Sequence, residues 1–310
     1  MNYIKHLPIA LVFCLFSCKN GKSSSQVSYI PQDTLTAFYL PAIPAMLNTP
    51  ELRADFLVKH YWDNVNFADT NYIHHPEVTE QAWADYCDLL NHVPLETAQQ
   101  AMRNVIDRTN VDKKVFTYIT DLADKYLYDP NSPMRNEEFY IPVLEAMIAS
   151  PVLNETEKIR PQARLKLAQK NRIGTKALNF TYTLASGAQG SLYQLKAEYL
   201  LLFINNPGCQ ACTETIEGLK NAPIINQLLQ EKKLVLLSIY PDEELDEWKK
   251  HLSEFPNEWI NGYDKKFTIK EEQVYDLKAI PTLYLLDKDK TVLLKDATAP
   301  AIEAYLMQHQ

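Results

Sequence analysis

The stretch FINNPGCQAC, Phe203 to Cys212, sets two cysteines two residues apart, just after an apolar run and just before a helix-forming segment. Three readings compete for such a pair: a disulfide staple, half of a metal site, or a dithiol that opens and closes. Residues three apart on a helix share a face, and their Cα separation falls within the range a disulfide bridges. The first cysteine lies at the expected helix N-terminus, where free N–H groups and the macrodipole favour an anion and hence a thiolate. The second lies one turn in and is more shielded. That asymmetry supplies one attacking and one resolving sulfur. A zinc site needs a second pair of Cys or His at ligand spacing. The only histidines of this half, His251 and His309, offer none. A staple closing so small a ring constrains the unfolded chain little. The residues favour a redox pair.

Working outward, the texture around the pair alternates strand and helix. ALNFTYTL is β-rich and ends at the turn signal ASGAQG. EYLLLFI and LVLLSIY are continuous apolar runs, as expected of strands buried on both faces. The helix starting near Cys209 is expected to bend near Pro223, and DEELDEWKKHL reads as a surface helix capped by Asp242 or a neighbour. IKEEQVYDL reads as a short helix. PTLYLLD and TVLL flank the polar turn at Lys288-Asp289 and read as a hairpin, and APAIEAYLMQH closes the chain as a helix.

ALNFTYTLASGAQGSLYQLKAEYLLLFINNPGCQAC, together with KAIPTLYLLD further on, resembles the thioredoxin-like domains of membrane-anchored thiol–disulfide oxidoreductases of the TlpA/ResA type, close to the AhpC/TSA superfamily. The likeness covers roughly Arg172 to Gln310. It implies a thioredoxin-like α/β domain in which Cys209 and Cys212 form a redox disulfide. It also implies a cis bond at Ile280-Pro281, on a loop that faces the dithiol and pairs by its backbone with a substrate chain. X-Pro is where a cis bond is affordable. Some positions depart from the family. Gly208, after Pro207, stands where a Trp is usual, and Gln210 and Ala211 lack the His or Pro of better-known members. Phe203 occupies the place of the buried acid of thioredoxins. The proton acceptor for Cys212 is therefore unassigned, since Glu198, Glu214 and Glu217 are only sequence neighbours and read as surface carboxylates. Asn206 stands where a peroxidase would want Thr or Ser, which disfavours peroxidase activity.

Before this region, from about Pro31 to Lys170, the pattern is helical. EVTEQAWADYCDLLNHV spaces Val78, Ala82, Tyr86 and Leu89 along one face, widened by Trp83 and Leu90. Four further segments follow in the same manner, the last kinked or started at Pro161. Breakers at Pro94, NVD, DPNSP and Pro151 separate them, which predicts an antiparallel bundle or α-array. Tyr61, Trp62, Trp83 and Tyr126 read as core, and Cys87 as a buried thiol. His74 and His75, with His60 and His92, are a remote metal possibility; no metal and no cofactor is expected. This region resembles the uncharacterised helical domains that precede thioredoxin-like domains in some Gram-negative lipoproteins.

At the N-terminus, MNYIKHLPIALVFCLFSC opens with Lys5 and His6 and runs apolar from Leu7 to Phe16. That is a signal-like pattern too short to span a bilayer. Its end, Leu15-Phe16-Ser17-Cys18, resembles a bacterial lipobox and implies lipidation at Cys18. KNGKSSSQ then reads as a flexible tether. No later apolar run reaches spanning length.

Composition narrows the function. A net charge of −8 argues against nucleic-acid binding, and no glycine-rich phosphate loop or internal repeat occurs. Five cysteines are too few for a disulfide scaffold. The expected architecture is thus a two-domain α+β chain. A signal peptide spans 1–18, a tether 19–30, an all-α bundle 31–170 and a thioredoxin-like α/β domain 171–310. The expected function is disulfide exchange in the cell envelope, lipid-anchored and facing the periplasm. Its partners would be protein thiol or disulfide substrates and a redox partner protein. The rival expectation is a non-catalytic binding lipoprotein that uses the fold as a platform.

Overall fold

The computed structural model describes residues 37–309, so the signal segment, the tether and Cys18 lie outside the described residues. Six α-helices come first: α1 (Pro50–His60), α2 (Pro76–Leu89), α3 (Leu95–Arg108), α4 (Lys113–Ala123), α5 (Glu137–Ala149) and α6 (Glu155–Ala168). Side chains at their starts satisfy backbone N–H groups that helices leave unpaired. Thr49 caps α1, Asp112 caps α4 and Asn136 caps α5. At α6 the cap is reciprocal: Asn154 accepts from the Glu157 N–H, and Glu157 accepts from the Asn154 N–H. The helix therefore starts at Glu155 and carries Pro161 in its interior, instead of starting there.

The buried face of α2 is Thr79, Ala82, Trp83, Tyr86 and Cys87, continued by Leu90. Val78 and Leu89 are only half-buried, so the stripe is rotated slightly from the predicted one. Tyr61, Trp62 and Trp83 are buried, as expected, and pack ring on ring with Tyr86. Tyr126 is half-buried and donates to Glu80.

The second half forms one sheet, of seven strands among the described residues. They are β1 (Thr181–Leu184), β2 (Gln189–Ser191), β3 (Tyr199–Ile204), β4 (Leu234–Tyr240), β5 (Ile260–Tyr263), β6 (Thr282–Asp287) and β7 (Val292–Lys295), in the order β2-β1-β5-β4-β3-β6-β7. β3, β4 and β5 run parallel; the flanking pairs are antiparallel. Alternation along the central strands feeds two apolar layers. Leu201, Phe203, Leu236, Leu283 and Leu285 face α7 (Gln210–Lys220), α8 (Pro223–Gln230) and α11 (Ala299–Gln308). Leu200, Leu202, Ile204, Leu237 and Tyr284 face Phe180, Leu192, Ile269 and Tyr275. This is why the strand sequences are apolar throughout.

Several local expectations are corrected. The helix after Cys209 does not bend at Pro223: it stops at Lys220, and α8 begins at Pro223. The Asn226 amide holds that break by donating to the carbonyls of Leu219, Lys220 and Ala222. Asp242 does not cap α9 (Leu245–His251), whose preceding residue is Glu244. The predicted helix over IKEEQVYDL shrinks to α10 (Thr268–Glu271). Strand β5 was not foreseen. Its Gly262 lies under the Tyr182 ring, where a Cβ would sit 2.9 Å from a ring carbon.

The helical core draws only on residues up to Ala168, and both sheet layers only on residues from Ala177 onward. Polar contacts join the two regions. Lys170 donates to the Gln273 carbonyl at 2.6 Å, Asn171 to the Val274 carbonyl at 2.7 Å, and Arg172 pairs with Glu138.

Candidate active site

Strand β3 delivers the chain to the end of the parallel strands, the edge where open α/β sheets place their sites. Asn205 anchors the turn there, its amide donating to Ser238 Oγ at 2.8 Å. Gly208 then takes φ +70°, a left-handed backbone that glycine adopts without the Cβ penalty. The turn sets Cys209 at the N-cap of α7, and the cysteine makes no side-chain cap bond of its own. The residue is partly exposed, at a helix start whose first-turn N–H groups receive no side-chain cap.

Cys212 lies one turn further and is 1% exposed. Both are free thiols. Burial, together with a hydrogen bond to Cys209, pushes the Cys212 thiol up to about 12; the Asn206 N–H, 3.5 Å from its sulfur, works the other way. The pair therefore consists of an accessible sulfur at a helix tip and a shielded one that holds its proton.

The loop before β6 faces this pair. The Ile280–Pro281 peptide bond is cis, and the Cys209 thiol donates to the Ile280 carbonyl at 3.9 Å. Cys209, Cys212, Ile280 and Pro281 are thus brought together. Phe203, in the place of the thioredoxin acid, is fully buried and meets the Trp259 ring edge-on. Glu198, Glu214 and Glu217 are exposed. Glu214 accepts from Gln210 and Glu217 from Lys220, so neither is committed to the dithiol. Among the described residues no group of three or more His, Cys, Asp or Glu side chains could hold a metal; His60 pairs with Asp63 and His75 with Glu77.

With this geometry in view, residues 17–171 match the family described as a domain of unknown function, DUF5106, and residues 197–292 match one described as thioredoxin-like. A crystal structure of a thioredoxin-like protein from Bacteroides caccae is 83% identical to this chain. It covers 89% of this chain and 100% of its own, with a TM-score of 0.88. The chain belongs to the thioredoxin-like proteins that carry a DUF5106 region. Two further structures each match 44% of this chain. The C-terminal domain of an uncharacterized Bacteroides fragilis protein is 69% identical over 44% of this chain and 98% of its own, with a TM-score of 0.44. The thioredoxin domain of a Bacteroides vulgatus thiol-disulfide oxidoreductase is 19% identical over 44% of this chain and 97% of its own, with a TM-score of 0.40. No curated protein matches the chain.

In this thioredoxin-like protein, sequence reasoning missed the support beneath Cys212. Asn206 gives its backbone N–H to the Cys212 sulfur and its amide to Asp242 at 3.1 Å; Lys270 holds the other Asp242 oxygen at 2.7 Å. Asp242 read as a helix cap because it precedes an amphipathic segment, and only its place beside the turn after β3 reveals the contact. A cleft of about 470 Å³, lined by Gln99, Arg103, Glu145 and Arg172 among others, holds no cysteine and takes no part in this site.

Proposed function

We propose that this protein is a thiol–disulfide oxidoreductase that exchanges disulfides through Cys209 and Cys212. The observation that carries the reading is the division of the pair. One sulfur is accessible at a helix tip and 3.9 Å from the Ile280 carbonyl; the other is buried one turn away. The Cys209 thiolate attacks one sulfur of a target disulfide, forming a mixed disulfide as the target's first thiolate leaves and takes up a proton. Cys212 then gives up its proton and attacks the Cys209 sulfur. The Cys209–Cys212 bond forms, the target's second thiolate leaves, and two electrons have passed from the protein to the target. A dithiol redox partner protein returns the pair to its reduced form. The Ile280 backbone is the edge against which a substrate chain lies. Cys18, at the lipobox-like segment, tethers the protein by a lipid in the cell envelope, facing the periplasm, where oxidising conditions give a dithiol work to do.

The decisive variants are Cys209→Ser and Cys212→Ser, assayed on a reducible protein disulfide. Cys209→Ser is expected to abolish exchange, and Cys212→Ser to accumulate a mixed disulfide visible by non-reducing electrophoresis. Full activity in both ends this reading. Phe203 in the place of an acid favours the alternative, a binding protein with a silent pair. Titration against a glutathione buffer separates the two, because a silent pair stays locked or never closes.

A further inference from the structure

The segment that faces Cys209, residues 278–282, is held at both ends by one group of charged side chains, and the helical region supplies part of that group. At the near end, Lys278 Nζ lies 2.8 Å from Asp276, 3.2 Å from Glu137 and 3.4 Å from Asp296. At the far end, Thr282 Oγ1 donates to Asp296 Oδ1 at 2.7 Å. Glu137 is the first residue of α5. It pairs with Lys295 as well as Lys278, and Lys295 also donates to the Lys170 carbonyl at 2.8 Å. Arg135 reaches from the loop before α5 to donate to the Asp296 carbonyl at 2.8 Å.

Three acids (Glu137, Asp276, Asp296) thus meet three bases (Arg135, Lys278, Lys295), so the cluster balances in charge. Five of these side chains are nearly buried, with exposures of 12% for Glu137, 4% for Asp276, 10% for Lys278, 7% for Lys295 and 11% for Asp296. Tyr128 of the helical region closes one side, its ring centroid 5.1 Å from the Lys278 ammonium. Burial by itself would pull Lys278 down, yet Asp296, Glu137 and Asp276 hold it above the usual lysine range. Asp296 is held below the usual carboxylate range against its own burial, chiefly by Lys278 and Arg135.

A buried ionic cluster is a poor glue, because desolvation consumes most of its attraction; an apolar contact of similar size would hold two regions as well or better. What it supplies is a fixed arrangement, since each charge tolerates only opposite neighbours at short range. Removing Glu137 leaves Lys278 and Lys295 competing for two acids, and frees the near end of the 278–282 segment. Removing Arg135 loosens the turn that carries Asp296, and so the far end.

We propose that Glu137 and Arg135 of the helical region are positioning residues for the loop that faces the dithiol, so that the DUF5106 region sets the substrate-docking edge of the thioredoxin-like site. The inference rests on the reading of Cys209 and Cys212 as an exchange centre. The helical region then belongs to the working site in addition to any role as a spacer.

The test uses the full chain with Glu137→Gln, Arg135→Met and the conservative Glu137→Asp. Hydrogen–deuterium exchange of the Lys278 amide, which donates to Asp276 Oδ1 at 2.9 Å, should quicken about tenfold in Glu137→Gln and Arg135→Met, while α3 and α4 keep their protection. In steady-state reduction of a peptide disulfide, KM should rise about threefold or more with kcat nearly constant, because docking and not sulfur chemistry is disturbed. The rate at which iodoacetamide alkylates Cys209 should not change, and Glu137→Asp should recover most of the loss. Unchanged loop exchange and unchanged KM in both disruptive variants overturn the proposal. So does an equal fall in kcat and kcat/KM, which would mark a general structural role. Should Glu137→Gln fail to fold, Arg135→Met decides alone. If the unaltered protein reduces no disulfide, the exchange reading falls, and amide exchange at Lys278 still decides whether the helical region positions the loop.

Discussion

In the helical region Cys87 lies on α2 at 2% exposure, enclosed by an aromatic cluster; in the thioredoxin-like region Cys209 stands partly exposed at a helix start. The same residue type is filler in one place and, in the reading proposed above, the exchange centre in the other. The difference lies in the surroundings and not in the sulfur. Cys87 sits in the last turn of α2, where the backbone N–H groups are already paired, and burial pushes its thiol well above the ordinary range. Cys209 sits before the first turn, where N–H groups are unpaired, and its buried companion waits one turn away. The aromatics follow the same division. Trp62, Trp83 and Tyr86 fill the helical core, whereas the aromatics nearest the dithiol strand, Phe203 and Trp259, pack beneath the sheet. The proposed exchange centre therefore lies where a helix begins at the end of a parallel strand. A cysteine on an apolar stripe is only packing.

The hardest blow to this comparison strikes the helical core. Trp83 is fully buried among Trp62 and Tyr86. Trp83→Ala is expected to cost about 3–5 kcal/mol of unfolding free energy, read from denaturant melts of the full chain. If the two regions were independent, the thioredoxin-like half would keep its own transition. The contacts of Glu137 with Lys278 and of Arg135 with the Asp296 carbonyl predict instead that the Lys278 amide loses protection as the helical core weakens. A loss under about 1 kcal/mol would mean that the aromatic cluster does not carry the helical region.

A second contrast sharpens the reading of the sulfurs by pH. With Cys212 pushed up to about 12, its thiolate fraction in the Cys209→Ser variant should rise about tenfold per pH unit between pH 7 and 10, without a plateau. Alkylation followed by mass spectrometry reports this directly. Cys87 should react only as the chain unfolds. Both thiols titrate higher folded than unfolded, so they support the fold fully below about pH 8.5 and progressively less as pH climbs towards the folded-state values. A plateau near pH 9 for Cys212 would show that burial does not hold its proton.

Much of this was legible along the chain, and the residues say why. Pro94, the Asn110–Asp112 segment and Pro151 marked helix boundaries because each removes a donor or offers a cap, effects that act within a few residues. The apolar runs over β3 and β4 announced a sheet covered on both faces. Cys209 and Cys212 stood out because their spacing and the flanking strand and helix are local. What stayed hidden depended on distance. β5 was masked by Gly262, whose reason is the Tyr182 ring on another strand. Pro161 looked like a kink or a helix start; the Asn154–Glu157 cap had already begun the helix, which carries the proline inside. The cluster of Glu137 with Lys278 and Lys295 joins residues far apart in sequence, and no pattern within either segment points to it.

The smallest effect concerns Asp242, whose contact to Asn206 was equally hidden. Asp242→Asn removes a charge from Lys270, a half-exposed pair worth about 0–1 kcal/mol. It also weakens the grip on the Asn206 amide, while the Asn206 backbone N–H still faces the Cys212 sulfur. That N–H is the described donor that favours the Cys212 thiolate, so loosening it should slow the resolving step and spare the first attack. Rapid-quench measurement of the mixed disulfide should show its lifetime lengthened about twofold, a difference of less than 1 kcal/mol. Asn206→Ala removes the amide but keeps the N–H, and should give an effect of the same size. If instead Asp242→Asn slowed the attack by Cys209 and left resolution alone, Asp242 would act on the accessible sulfur, and the division of labour between the two thiols would need redrawing.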